Sequence, residues 1–110
     1  MIKVHLDLHN ITVQGHAPRL EGTKPGENIV CAAVSALLIT CVNGLESVVS
    51  IEPTVRQNDE VGYLKAELPD RLDEAQLHDA AIVLSVTEQG LQAIAQQYPG
   101  FLRVSTKNRR

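Results

Sequence analysis

The sequence is short of aromatic residues: no Trp, one Phe and two Tyr among 110 residues. Stacking platforms for bases or sugars need several such rings, so the composition argues against them. Positive charge is not in excess either. Ten Lys and Arg face thirteen Asp and Glu, a net charge of -3. That balance gives no general attraction to polyanions, and no direct nucleic-acid binding is expected. The basic end, KNRR at residues 107–110, reads as a solvated tail. Metal-ligand spacings such as CxxC and HxxxH are missing, as is a glycine-rich phosphate loop, so neither a metal nor another cofactor is expected. There is no apolar leader at the start. The longest apolar stretch, residues 29–42, is expected to be too short and too interrupted to cross a bilayer. Only two cysteines are present, Cys31 and Cys41. Both fall in one expected helix, roughly 15 Å apart along its axis, and a disulfide needs Cα atoms within about 7 Å. They should stay unbridged, which suggests a reducing, cytoplasmic setting.

What is present is a mixed pattern that fits a single domain over residues 1–110. Ile2, Val4, Leu6 and Leu8 alternate with Lys3, His5, Asp7 and His9, the period of a half-buried strand. His9 and Asn10 suggest a tight turn, and residues 11–14 a returning strand. Residues 16–27 have no periodicity and hold two Gly and two Pro, so they read as a long loop. Asn28 is a candidate N-cap for a helix over residues 29–43, with Gly44 as its stop. Strands are expected over residues 47–56 and 61–68, joined by the polar QNDE. Pro53 points to an edge strand or a bulge in the first of these. A second helix over residues 70–98 should bury Leu77, Ala81, Leu84, Leu91, Ile94 and Tyr98. Residues 101–105 suggest a last strand. The order ββαββαβ implies an α+β two-layer sandwich, a mainly antiparallel sheet with two helices.

The chemistry centres on Cys31. With Asn28 as N-cap, Cys31 is the third helical residue, where free N–H groups and the helix dipole favour a thiolate, the reactive form of cysteine. Cys41 lies near the other end of the same helix and reads as core. A nucleophilic thiol needs a base. Of the four histidines, His5, His9 and His78 read as surface residues. His16 opens the loop that leads into the cysteine helix. On spacing alone, a Cys31/His16 dyad and a buried small cysteine with an unrelated loop histidine are both open.

GHA at residues 15–17, a glycine-bearing loop, and NIVCAAVSALL at residues 28–38 together resemble the Prp family of ribosomal-processing cysteine proteases. The family pattern is GHA, a short glycine-bearing loop and DIVCAAVSAL. The resemblance implies a homodimer with a mobile loop, here residues 16–27, over the site. It implies Cys31 as nucleophile and His16 as general base, with Gly15, Asn28 and Ser35 as candidate supporting residues. The implied reaction removes a short N-terminal extension from a ribosomal protein precursor, large-subunit protein twenty-seven. Two departures stand out. Asn28 replaces the usual Asp, which brings no charge to orient a histidine and is expected to weaken activity. The loop is also longer. A non-catalytic dimer that binds an extended peptide or ribosomal partner, or a phage relative with another substrate, is the competing expectation.

Overall fold

The structure, a computed structural model, describes residues 1–15, 27–58 and 62–107. Seven elements follow the expected order: β1 (Ile2–Leu6), β2 (Asn10–Gln14), α1 (Glu27–Ser47), β3 (Thr54–Asn58), β4 (Tyr63–Glu67), α2 (Glu74–Gln97) and β5 (Leu102–Thr106). The strands form one sheet in the order β3-β4-β2-β1-β5. β1 pairs parallel with β5, and the other neighbours pair antiparallel.

Alternation in the strands creates the two layers. β1 buries Ile2, Val4 and Leu6, and β2 buries Ile11 and Val13. These side chains meet Ala66, Leu102, Val30, Val34, Leu38 and Leu91 in one apolar cluster, so both helices cover the same face. A second cluster gathers Cys41, Leu45, Ile51, Leu68, Ala80 and Leu84. Among the described residues no helix covers the opposite face. Pairing aligns its outward residues in two cross-strand rows: Arg56, Lys65, Thr12, His5 and Ser105 in one, and Asn58, Tyr63, Gln14, Lys3 and Arg103 in the other.

Several local expectations are corrected. β1 ends at Leu6 and Leu8 is half-exposed, because Asp7 turns the chain. The Asp7 carboxylate accepts from the backbone N–H groups of His9 (2.9 Å) and Asn10 (2.7 Å). Burial opposes ionisation of this carboxyl. The backbone donors of His9 and Asn10, the Asn10 side chain and nearby His5 outweigh it and hold the pKa below its ordinary value.

α1 begins at Glu27 and passes through Gly44 to Ser47, so Asn28 falls inside the first turn rather than capping it. Gly44 does not stop the helix: it keeps helical backbone within α1 and faces Val83 of α2, where an added Cβ would make an ordinary 3.9 Å contact. The left-handed residue after the helix is Ser50 (φ 58°), and Ile51 then donates back to the Leu45 carbonyl at 2.7 Å. Longer than expected, residues 29–47 of α1 are apolar enough, by length and composition, to cross a membrane. Val30, Val34, Leu38, Cys41 and Leu45 of that stretch are buried core residues.

The extra helical turn delays the next strand to Thr54, just after Pro53, and β3 takes the edge of the sheet as Pro53 suggested. β4 and β5 shift by one or two residues from their expected limits. α2 starts later than expected, because Asp73 caps it. Asp73 accepts from the Gln76 N–H (2.8 Å) and Gln76 accepts from the Asp73 N–H (3.0 Å). The buried stripe of α2 is Ala80, Leu84, Thr87 and Leu91, leaving Leu77 and Ala81 exposed.

Candidate active site

Cys31 is the fifth residue of α1, two places later than expected. Its own N–H is therefore past the four unpaired donors of the helix start. Its side chain still leans towards that start, since helical Cα–Cβ bonds tilt to the N-terminus. Cys31 is half-buried, packed on the edge of the first core cluster. Cys41 is 2% exposed and sits in the second cluster. Neither cysteine is in a disulfide. One is within reach of a reagent and the other is enclosed by the packing.

The helix pair fixes where Cys31 lies. Gly90 of α2 meets Leu37 of α1, and Gly44 of α1 meets Val83 of α2. The helices thus run antiparallel. Continuing that register places Cys31 level with the last turn of α2, near Gln96. α2 then leads through Tyr98 and Phe101 into β5, whose first residue, Leu102, pairs with Ile2. Cys31 therefore lies at the end of the sheet where β1 begins.

Gly15 is at that same end. It follows Gln14, which pairs with Lys3. Its φ of +85° is left-handed, and a Cβ built there would stand 2.6 Å from the Met1 carbonyl oxygen. Only glycine makes this bend beside another backbone without strain. The described chain thus leaves β2 at the Cys31 end of the sheet. His16 itself, the rest of the expected mobile loop through residue 26, and the side chains of Glu27 and Asn28 lie outside the described residues.

The other histidines are elsewhere. His5 faces the helix-free side, where its Nδ1 meets Ser105 Oγ at 2.9 Å. His9 belongs to the turn at the far end of β1. His78 is exposed beside Asp79 (3.5 Å), eighteen residues before Gln96 and so roughly 27 Å away along α2. Ser35 sits one turn beyond Cys31 and is exposed. A hydroxyl buried and satisfied inside the helix does not describe it.

The family model described as "Cysteine protease Prp" matches residues 1–103. The chain belongs to the Prp cysteine protease family. It is a hydrolase of peptide bonds in a family of ribosomal-processing proteases. The ribosomal processing cysteine protease Prp of Bacillus subtilis is 30% identical over 92 residues, 84% of this chain and 80% of that one. The enzyme of the same name from Staphylococcus aureus is 31% identical over 99 residues, 89% of this chain and 86% of that one. The structure of an essential Prp from S. aureus in complex with a substrate peptide matches with a TM-score of 0.81 at 25% identity, covering 97% of this chain and 100% of that one. A second S. aureus structure, with a covalently linked product peptide, matches at 0.78 and 26% identity over the same shares. A Streptococcus mutans protein shares the fold at 0.83 and 24% identity, over 96% of this chain and 93% of that one.

Proposed function

We propose that this Prp-family chain is an endopeptidase that removes a short N-terminal extension from large-subunit ribosomal protein twenty-seven, using Cys31 and His16. The observation that carries the dyad is the shared position of Cys31 and the Gly15 bend at one end of the sheet. His16 takes the Cys31 proton, and the thiolate sulfur attacks the scissile carbonyl carbon. His16 then gives that proton to the departing amine, which leaves a thioester on Cys31. Water, deprotonated by His16, cleaves the thioester and restores the thiol. The free N–H groups of the α1 start are suited to hold the oxyanion. Asn28 orients His16 without adding charge. The covalently linked product peptide on the S. aureus relative is consistent with acylation of a thiol.

The enzyme acts as a homodimer in this reading. Ile39 and Val86 are 59% and 67% exposed on the outward surfaces of α1 and α2, with exposed Ala36 and Ile82 one turn before them on the same helices. A second copy would cover this apolar surface. Sedimentation of wild type as a dimer and of Ile39→Glu as a monomer would support it; a wild-type monomer at micromolar concentration would refute it. Cysteines that form no disulfide fit action in the cytoplasm. For the substrate, the precursor is incubated with wild type, Cys31→Ala and His16→Ala, and products are read by intact mass. One defined cut by wild type alone supports the reading. A cut by Cys31→Ala overturns the nucleophile, and an untouched precursor overturns the substrate.

A further inference from the structure

The helix-free face of the sheet has a charge distribution that net charge conceals. Lys3 pairs directly with Arg103 across β1 and β5, and Arg56 pairs directly with Lys65 across β3 and β4. Like charges placed opposite each other in a sheet are destabilising. The fold carries two such pairs on one face. Among the described residues none of the four cations has an ion pair. Glu67 is the one acid at the outward strand positions of this face. A protein of net charge -3 thus presents, among the described strand positions, four cations against one acid on one sheet surface. Thr12 and Gln14 of β2 lie between the pairs, and with His5, Ser105, Lys3 and Arg103 they line an open depression of about 240 Å³.

We propose that this face binds the phosphodiester backbone of a single-stranded nucleic acid, laid across the two cation pairs. A chain with one negative charge per residue relieves both repulsive pairs at once. Thr12, Gln14 and Ser105 are of the types that contact phosphate oxygens. The surface spans five strands, about 19 Å at sheet spacing, and carries no helix or ribbon to enter a duplex groove. Tyr63, half-buried in the same row as Lys3, offers one ring for a base. With a single ring, binding is by backbone charge and tolerant of sequence. The site lies across the sheet from the helix layer that holds Cys31, so it is separate from the thiol chemistry and independent of the proposed substrate.

The test is fluorescence anisotropy of a labelled twenty-nucleotide polyuridine with the full chain, from 25 to 200 mM KCl. Four phosphate contacts predict a slope of log K against log salt near roughly -3. Lys3→Gln with Arg103→Gln removes two contacts, so the slope should fall to about -1.4, with affinity at 50 mM KCl reduced at least tenfold. Circular dichroism and melting show that this variant is folded. Replacing Lys107, Arg109 and Arg110 by Gln should change little. Equal binding of the deoxy strand supports recognition of the backbone. No binding at 25 mM KCl overturns the proposal. So does loss confined to the tail variant, or a polyglutamate peptide of equal charge that competes as well as the RNA.

Discussion

Replacing Gly15 by Ala perturbs the bend that immediately precedes His16, the proposed general base. An L-residue held at φ near +85° costs about 1–2 kcal/mol relative to glycine. The added Cβ also stands 2.6 Å from the Met1 carbonyl oxygen. Ile2 is anchored by its N–H to the Phe101 carbonyl (2.9 Å), so Met1 can give way only at its terminal side. That movement holds the steric part to about 1 kcal/mol. The sum, about 2–3 kcal/mol, is a large share of the ~5–15 kcal/mol that keeps a domain folded. Gly15→Ala should therefore fold but melt lower by about 8–12 °C, taking ~4 °C per kcal/mol for a chain of this size. Activity should fall further than stability, because His16 is bonded to the shifted residue. At a temperature where both proteins are folded, kcat/KM should drop at least a hundredfold, as expected for a misplacement of about 1 Å. Urea denaturation, thermal melting and steady-state cleavage of a substrate peptide give the three numbers. A variant with unchanged melting and full turnover would refute the role assigned to this bend.

Ser50 invites the opposite change. It holds a left-handed φ of 58°, so Ser50→Gly should stabilise by up to about 1 kcal/mol and raise the melting temperature by ~4 °C. A lower melting temperature would mean that the Ser side chain holds the turn. For Asp7, a folded pKa below the unfolded one means stability that is full above the unfolded value and is lost as pH falls through the folded value. Asp7→Asn should therefore be less stable than wild type at neutral pH, and the gap should close on acidification below about pH 4, as chemical denaturation at several pH values will show. A gap that stays constant to pH 2 would contradict this. Iodoacetamide under native conditions should modify Cys31 and leave Cys41 intact, since Cys41 is 2% exposed. Peptide mapping that finds both labelled at one rate would contradict the packing.

Much of the fold was legible because strand alternation and turn residues are local signals. Ile2, Val4 and Leu6 of β1, Ile11 and Val13 of β2 and the order ββαββαβ all follow from them. The misplacements have tertiary causes. Gly44 reads as a helix stop, yet α2 packs against its bare face and the helix continues. Leu77 and Ala81 fit a helical period as well as Ala80 and Thr87 do, and only the partner helix selects between the stripes. The Asp73 cap was visible in principle, since Asp followed three residues later by Gln is the signature of a capping box. At the site, Cys31 and the GHA segment were legible from the motif. The approach of Gly15 to Met1 was not, because it depends on the pairing of two strands. The cation pairs on the helix-free face depend on register across four strand pairs, and composition hides them.

In the proposed mechanism the Gly15 bend delivers His16 to Cys31. The most direct measurement is a crystal structure of the Cys31→Ser variant with a peptide carrying the precursor's cleavage site. A ring nitrogen of His16 should lie within about 2.6–3.2 Å of the Ser side-chain oxygen, directly or through one water. His16 turned away from residue 31, with the scissile carbonyl bound elsewhere, would contradict the account.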